Sequence, residues 1–243
     1  MEKIDILSLS PETLGQYLAE MGEPKFRAKQ LFSWLHQKQV TDFAQMTTLS
    51  LQLRQKLNEK FCINRLNIAR KLASSADDTV KYLYELPDGN FVETVLMDYH
   101  HGKSLCISTQ VGCRMGCQFC ASTIAGYVRD LQPSELLLQI YETQRDAGCR
   151  IDSIVLMGIG EPLDNFDNVV QFFRLLSHPD GMNMSLRHAA LSTCGLVPQI
   201  RQLADLRLGV TLSVSLHSPE NQRRSEIMPV NRRYPVEELL DAC

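Results

Sequence analysis

From about residue 105 onward, short apolar runs alternate with amphipathic stretches, and this alternation limits the fold more than any other feature of the chain. Residues 105–109, 153–157, 187–192 and 209–216 read as strands. Residues 134–145, 165–176 and 198–206 read as helices, the first presenting Leu136, Leu137, Ile140 and Tyr141. Strands that take turns with helices imply βαβ units around a parallel sheet. Such sheets carry their chemistry in the loops past the C-terminal ends of the strands. Cys113, Gly160, Ser192 and His217 all fall at or just beyond those ends.

The first 70 residues read differently. Residues 8–70 are expected to be helical. Ser10-Pro11-Glu12 is an N-cap followed by proline at the first helical position. Leu14, Leu18 and Met21 space one helical face. A second helix is expected from Pro24, with Phe26, Leu31, Trp34 and Leu35 in the core. A third runs from about residue 49 to 61, with Leu53, Leu57 and Phe61 on one stripe. Over 79–98 the period shifts to two: Val80, Tyr82, Tyr84 and Leu86 alternate with polar residues. Pro87-Asp88-Gly89-Asn90 then turns the chain into a hairpin. The expected organisation is a helical domain at 1–72, a hairpin linker at 73–102 and an α/β core at 103–243.

Composition sets outer bounds. The 243 residues are 44% hydrophobic, with no apolar run long enough to span a bilayer. The start, Met1-Glu2-Lys3-Ile4-Asp5, lacks a signal-peptide core. Eight cysteines in a chain of this size do not read as a disulfide framework, so a reducing cytoplasm is expected. The first 70 residues carry 10 Lys and Arg against 7 Asp and Glu, and the remainder 15 against 21. A mildly basic segment on an acidic protein suits a polyanionic partner.

Three of the cysteines, Cys113, Cys117 and Cys120, are spaced C-x3-C-x2-C. The short gaps let three thiolates turn toward one soft inorganic centre. A zinc site is the alternative, with His100 or His101 as a fourth ligand. Gly158-Ile159-Gly160-Glu161-Pro162 is not a dinucleotide fingerprint. Its glycines admit a ligand close to the backbone, and Glu161 can receive an ammonium. Ser192 and the Ser215-Leu216-His217 segment say little alone.

The cysteine spacing, with Phe119 before the last thiol, resembles the signature of radical S-adenosylmethionine (SAM) enzymes. Together with 106–123, Gly158–Pro162, Leu191-Ser192-Thr193, Ser215-Leu216-His217 and Met228-Pro229-Val230-Asn231, the chain closely resembles the radical SAM adenine methyltransferases of ribosomal RNA. The resemblance implies a partial (β/α) radical SAM barrel with a helical N-terminal domain. It implies a 4Fe–4S cluster on Cys113, Cys117 and Cys120. It implies a SAM site of Gly160, Glu161, Ser192, Ser215, Leu216 and His217. Glu93 matches the family's proton acceptor, and Cys106 the resolving cysteine of a transient disulfide. The implied reaction methylates carbon 2 of an adenine in 23S rRNA and in tRNA. An electron donor protein would serve a cytoplasmic monomer with no membrane attachment. Lys25, Arg27, Lys29, Lys38, Arg223, Arg224, Arg232 and Arg233 are expected to hold RNA phosphates. The family's methyl-carrying cysteine has no counterpart up to Cys243, so a C-terminally truncated member, unable to methylate, is expected. The rival readings are a carbon-8 adenine methyltransferase and a non-catalytic zinc module that binds RNA.

Overall fold

The structure is a computed structural model that describes residues 3–100 and 102–243. His101, one of the two candidate zinc ligands, lies outside the described residues. The chain opens with a short strand, β1 (Ile4–Asp5), which pairs in parallel with β2 (Phe61–Cys62). Between them lie α1 (Pro11–Glu20), α2 (Arg27–His36) and α3 (Leu51–Lys60). Ser10 and Ser50 cap α1 and α3: each Oγ accepts a backbone N–H three residues on, at 3.2 Å. The second helix starts at Arg27 rather than Pro24, because Pro24–Phe26 forms a turn. Trp34 is half-buried rather than core. Its Nε1–H donates to Thr48 Oγ1 at 2.8 Å, and Lys38 Nζ sits 3.5 Å above its ring. Helix does not extend to residue 70, since β3 (Asn67–Ala73) already belongs to a sheet.

That sheet has seven strands. β4 (Val80–Glu85), β5 (Phe91–Tyr99) and β6 (Gly102–Cys106) follow β3 in an antiparallel meander. The hairpin over 79–98 is therefore present where its turn chemistry places it, and it is continuous with the core sheet. From β6 the order becomes parallel. β9 (Ser153–Leu156), β10 (Ala189–Thr193) and β11 (Thr211–Val214) stack beside it in turn, giving β11-β10-β9-β6-β5-β4-β3. A small separate ribbon, β7 (Gln110–Gly112) with β8 (Tyr127–Asp130), flanks the cysteine loop. The crossover helices are α4 (Pro133–Ala147), α5 (Phe166–Ser177) and α6 (Val197–Leu206). Then come α7 (Asn221–Ile227), which the sequence did not suggest, and α8 (Val236–Ala242).

One face of the sheet is buried. Tyr82, Tyr84, Val92, Leu105, Ile154 and Leu156 pack in one core with Leu136, Leu137 and Ile140 of α4 and Phe172 and Phe173 of α5. Burying each such side chain contributes about 1.5–3 kcal/mol. Polar links set the register. Tyr84 Oη meets Thr143 Oγ1 at 2.8 Å, and Thr94 Oγ1 donates to Gln139 Oε1 at 2.8 Å. Gln139 also takes the Ser108 N–H at 2.9 Å and donates to the Ser108 carbonyl at 3.0 Å. A helix side chain thus fixes the end of β6, from which the chain runs into the cysteine loop. The other sheet face is only half-buried, and residues such as Cys106, Val155 and Ser192 lie on it. No helix of the described residues is long and apolar enough to cross a membrane.

Candidate active site

The parallel strands end at a cavity of about 190 Å³. Cys113, Cys117 and Cys120 line it from one side, Gly160 and Glu161 from another, and Ser192, Ser215 and His217 from a third. Residues as far apart in sequence as Cys113 and His217 meet here because all lie past strand C-termini, where βα loops converge.

Glu161 is only 4% exposed. Its Oε2 accepts the Cys194 N–H at 2.8 Å and its Oε1 the Leu163 N–H at 3.1 Å. Burial nevertheless pushes its carboxyl above the ordinary value, and among the described residues no cation pairs with it. Gly160 holds φ at +110°, and a Cβ there would stand 2.7 Å from Gln110 Cβ and 2.8 Å from Thr109 Oγ1. Only glycine fits that backbone. Gln110, fully buried, accepts the Glu161 N–H at 2.8 Å and donates to Asp164 Oδ2 and Asp130 Oδ1, each at 2.8 Å. Asp164 in turn accepts both Nε and Nη2 of Arg114 at 2.8 Å. One glutamine therefore ties the Gly160–Glu161 loop to the cysteine loop, and no sequence signal marked it.

Cys113 and Cys117 are buried and Cys120 half-buried. Burial first, and then the neighbouring thiols, push Cys117 up to about 11, and burial raises Cys113 as well. Three thiols whose negative charges repel one another form a donor set that asks for a soft, positively charged group. Among the described residues, no three His, Cys, Asp or Glu side chains converge closely enough for a single metal ion. A tetrahedral zinc ion needs its ligands about 2.0–2.3 Å from one point, whereas a cubane cluster takes each thiolate at a separate iron. Three soft donors carried by one short loop fit such a cluster. No disulfide joins any of the eight cysteines, so the disulfide expected at Cys106 is not formed.

Ser192 Oγ and Ser215 Oγ lie 3.2 Å apart, across β10 and the end of β11. His217 is held at φ +56°, an uncommon conformation for a non-glycine residue, with its ring 4.3 Å from that of Phe119. Leu216 does not line the cavity; its carbonyl accepts Arg224 Nε–H at 3.1 Å. Cys194 and Met228 also line the cavity, although no sequence signal assigned either a role in it. Phe119 and Met157 line the cavity and are exposed, an apolar rim suited to a flat ring.

Glu93 and Cys106 do not line the cavity. Val95 pairs with Cys106 across β5 and β6, and Glu93 lies two residues from Val95, so both share the half-buried sheet face. Glu93 Oε1 receives Lys81 Nζ at 2.6 Å, and its backbone carbonyl accepts Ser108 Oγ–H at 2.6 Å. Burial raises Cys106, which keeps its proton. Of the expected phosphate ligands, Lys29 already meets Asp180 at 3.0 Å. Arg224 is a correction: it is fully buried behind the cavity and cannot reach a phosphate.

Comparison with known proteins agrees with this architecture. Residues 107–243 match the family model of the radical SAM superfamily, and residues 4–63 that of the ribosomal RNA large subunit methyltransferase N-terminal domain. A probable dual-specificity RNA methyltransferase RlmN of Lachnoclostridium phytofermentans is 51% identical over all of this chain and 68% of its own length. A protein of the same description from Alkaliphilus oremlandii is 50% identical over 100% and 71%. A crystal structure of a radical SAM methyltransferase from Sphaerobacter thermophilus superposes with a TM-score of 0.92 at 38% identity, covering 99% of this chain and 71% of that one. A half-barrel with a three-cysteine loop at its strand ends defines a radical SAM protein. Within that class, the chain belongs to the radical SAM RNA methyltransferases of the RlmN family.

Proposed function

We propose that this chain is the cluster- and SAM-binding part of an enzyme that methylates carbon 2 of an adenine in 23S rRNA and tRNA, the methyl-carrying cysteine having no counterpart among its 243 residues. The supporting observation is a single cavity lined by three cysteines, a buried glutamate without a cation, and the Ser192–Ser215 pair. In this reading Cys113, Cys117 and Cys120 hold a 4Fe–4S cluster, and Gly160, Glu161, Ser192, Ser215, Leu216 and His217 hold SAM. The cluster, when bound, supplies one electron to SAM, whose radical chemistry can reach a ring carbon that is itself electron-poor.

The protein's own groups do the rest. The Glu161 carboxylate takes the ammonium of SAM, which relieves the cost of burying its charge. Gly160 lets that ligand approach the backbone. The Ser192 and Ser215 hydroxyls hydrogen-bond polar atoms of SAM, and His217 closes one wall through Phe119. Glu93 receives the proton lost from the adenine ring at its Oε atoms, first releasing Lys81. Cys106 keeps its thiol proton until it is needed to release the product. The apolar rim excludes water and stacks on an adenine that has left its helix. We assign RNA holding to residues 1–72, with 73–102 as the link and 103–243 as the catalytic core. The enzyme acts as a cytoplasmic monomer fed by an electron donor protein.

Product analysis tests this. RNA incubated anaerobically with SAM, reductant and a version of the protein that includes the methyl-carrying cysteine is digested and its nucleosides are analysed by mass spectrometry. 2-Methyladenosine is the expected product; 8-methyladenosine would replace the reading with the carbon-8 alternative.

A further inference from the structure

Arg224 is a buried charge that the site as described does not use. It lies in α7 with 0% of its surface exposed. Its Nε–H donates to the Leu216 carbonyl at 3.1 Å and Nη1 to Asn231 Oδ1 at 2.9 Å. Nη2 donates to the carbonyls of Cys194 at 2.6 Å and Ser215 at 3.3 Å. Every acceptor is neutral, and among the described residues no carboxylate pairs with it. Arg65, Arg114 and Arg129 make the contrast: each grips a carboxylate with two nitrogens. Burying a cation with no counter-charge is costly, and folds retain such ions where something anionic completes them.

The surroundings show which side is incomplete. Cys194, whose carbonyl Arg224 holds, packs against Cys117 and Met228. The last residue of α7 accepts the Gln118 N–H of the cysteine loop at 2.9 Å. The thiols of Cys194 and Cys117 are the groups whose negative charge Arg224 would feel.

We propose that Arg224 is the buried counter-charge of the iron–sulfur cluster and raises its reduction potential. This rests on the reading of Cys113, Cys117 and Cys120 as cluster ligands. Three thiolates outweigh the positive charge of the oxidised iron–sulfide core, so the assembled centre is an anion. One electron from a low-potential donor makes it more negative. A fixed cation behind the cysteine loop, in a medium of low dielectric, stabilises the reduced form more than the oxidised one. Guanidinium suits the position because it stays charged when buried, and its planar fork binds the carbonyls that shape the Ser215–Leu216 wall.

The test compares the full chain with Arg224→Gln and Arg224→Lys, each reconstituted anaerobically with iron and sulfide. Iron content, circular dichroism and a redox titration followed by electron paramagnetic resonance are recorded. Arg224→Gln should show at least a tenfold fall in the reduced-to-oxidised ratio at fixed potential, a negative shift of about 59 mV for a one-electron couple. Arg224→Lys, which keeps the charge but loses the fork, should stay within about threefold of the parent. If Arg224→Gln holds no iron while Arg224→Lys does, the charge is needed for assembly, which also supports the proposal. Equal potentials in all three proteins would overturn it. So would equal shifts, or equal loss of iron or folding, in both variants, because hydrogen bonding alone would then explain the residue. A parent chain that takes up no iron fails the cluster reading itself, and this proposal with it.

Discussion

Glu161 concentrates the residue-scale account. Burial lifts its carboxyl above the ordinary value despite the two backbone N–H groups it holds, and among the described residues no cation pairs with it. A ligand ammonium would lower it again. Removing the charge in Glu161→Gln deletes a charge-assisted hydrogen bond, about 1.5–3 kcal/mol. Anaerobic calorimetry should therefore record at least a tenfold weaker SAM affinity; unchanged affinity would remove Glu161 from the site. For the parent protein, SAM affinity should fall as pH drops through the raised value, because the protonated carboxyl no longer attracts the ammonium. That Glu161 would line a strand-end cavity was legible in the sequence, because it follows Gly160 just past a predicted strand. Gln110, Cys194 and Arg224 were not. Their roles arise from contacts across 20 to 54 residues of sequence in the first case and a helix docking in the others, and neither leaves a local pattern. Arg224 was read as a surface charge because arginine usually is one.

Elements were legible wherever one rule dominated. The hairpin followed from alternation and Asp88-Gly89, and α1 from Ser10 and Pro11. α7 was missed because Asn221-Gln222-Arg223-Arg224-Ser225-Glu226 carries no apolar stripe. The docking of α2 onto α4 makes its own prediction. His36 is fully buried, meets Tyr141 Oη at 2.9 Å, and is held down at about 3, first by burial and then by His178. Unfolded histidine titrates near 6.5. Between these values the unfolded chain binds a proton that the folded chain refuses, so stability rises with pH. The contribution is complete above about pH 6.5 and is lost as pH falls toward 3. Denaturant titrations should show stability dropping by about 2 kcal/mol from pH 7 to pH 5. His36→Gln should flatten that slope; an undiminished slope would place its origin elsewhere.

Across the whole molecule, the N-terminal helices and the sheet share one apolar core that includes Leu14, Phe32, Leu57, Leu137 and Phe172. Polar ties reinforce it: Ser8 Oγ accepts the Ser134 N–H at 3.2 Å, and Arg65 grips Glu142 with Nε and Nη2 at 3.0 Å. The helical segment should therefore melt with the core. Scanning calorimetry should show one transition with matching calorimetric and van't Hoff enthalpies, and two resolved transitions would contradict a shared core. The alternation of strands and helices gave the half-barrel, and its strand ends gave the cavity. The continuity of the hairpin with that sheet was not visible, because pairing between distant strands has no signature in either strand.

The account stands or falls on what the three cysteines bind, so metal content tests it most directly. Anaerobically prepared chain should be brown, with about four irons and matching sulfide per chain, and Cys113→Ala, Cys117→Ala and Cys120→Ala should each be nearly iron-free while remaining folded. Colourless protein carrying one equivalent of zinc, lost on the same substitutions, would contradict it.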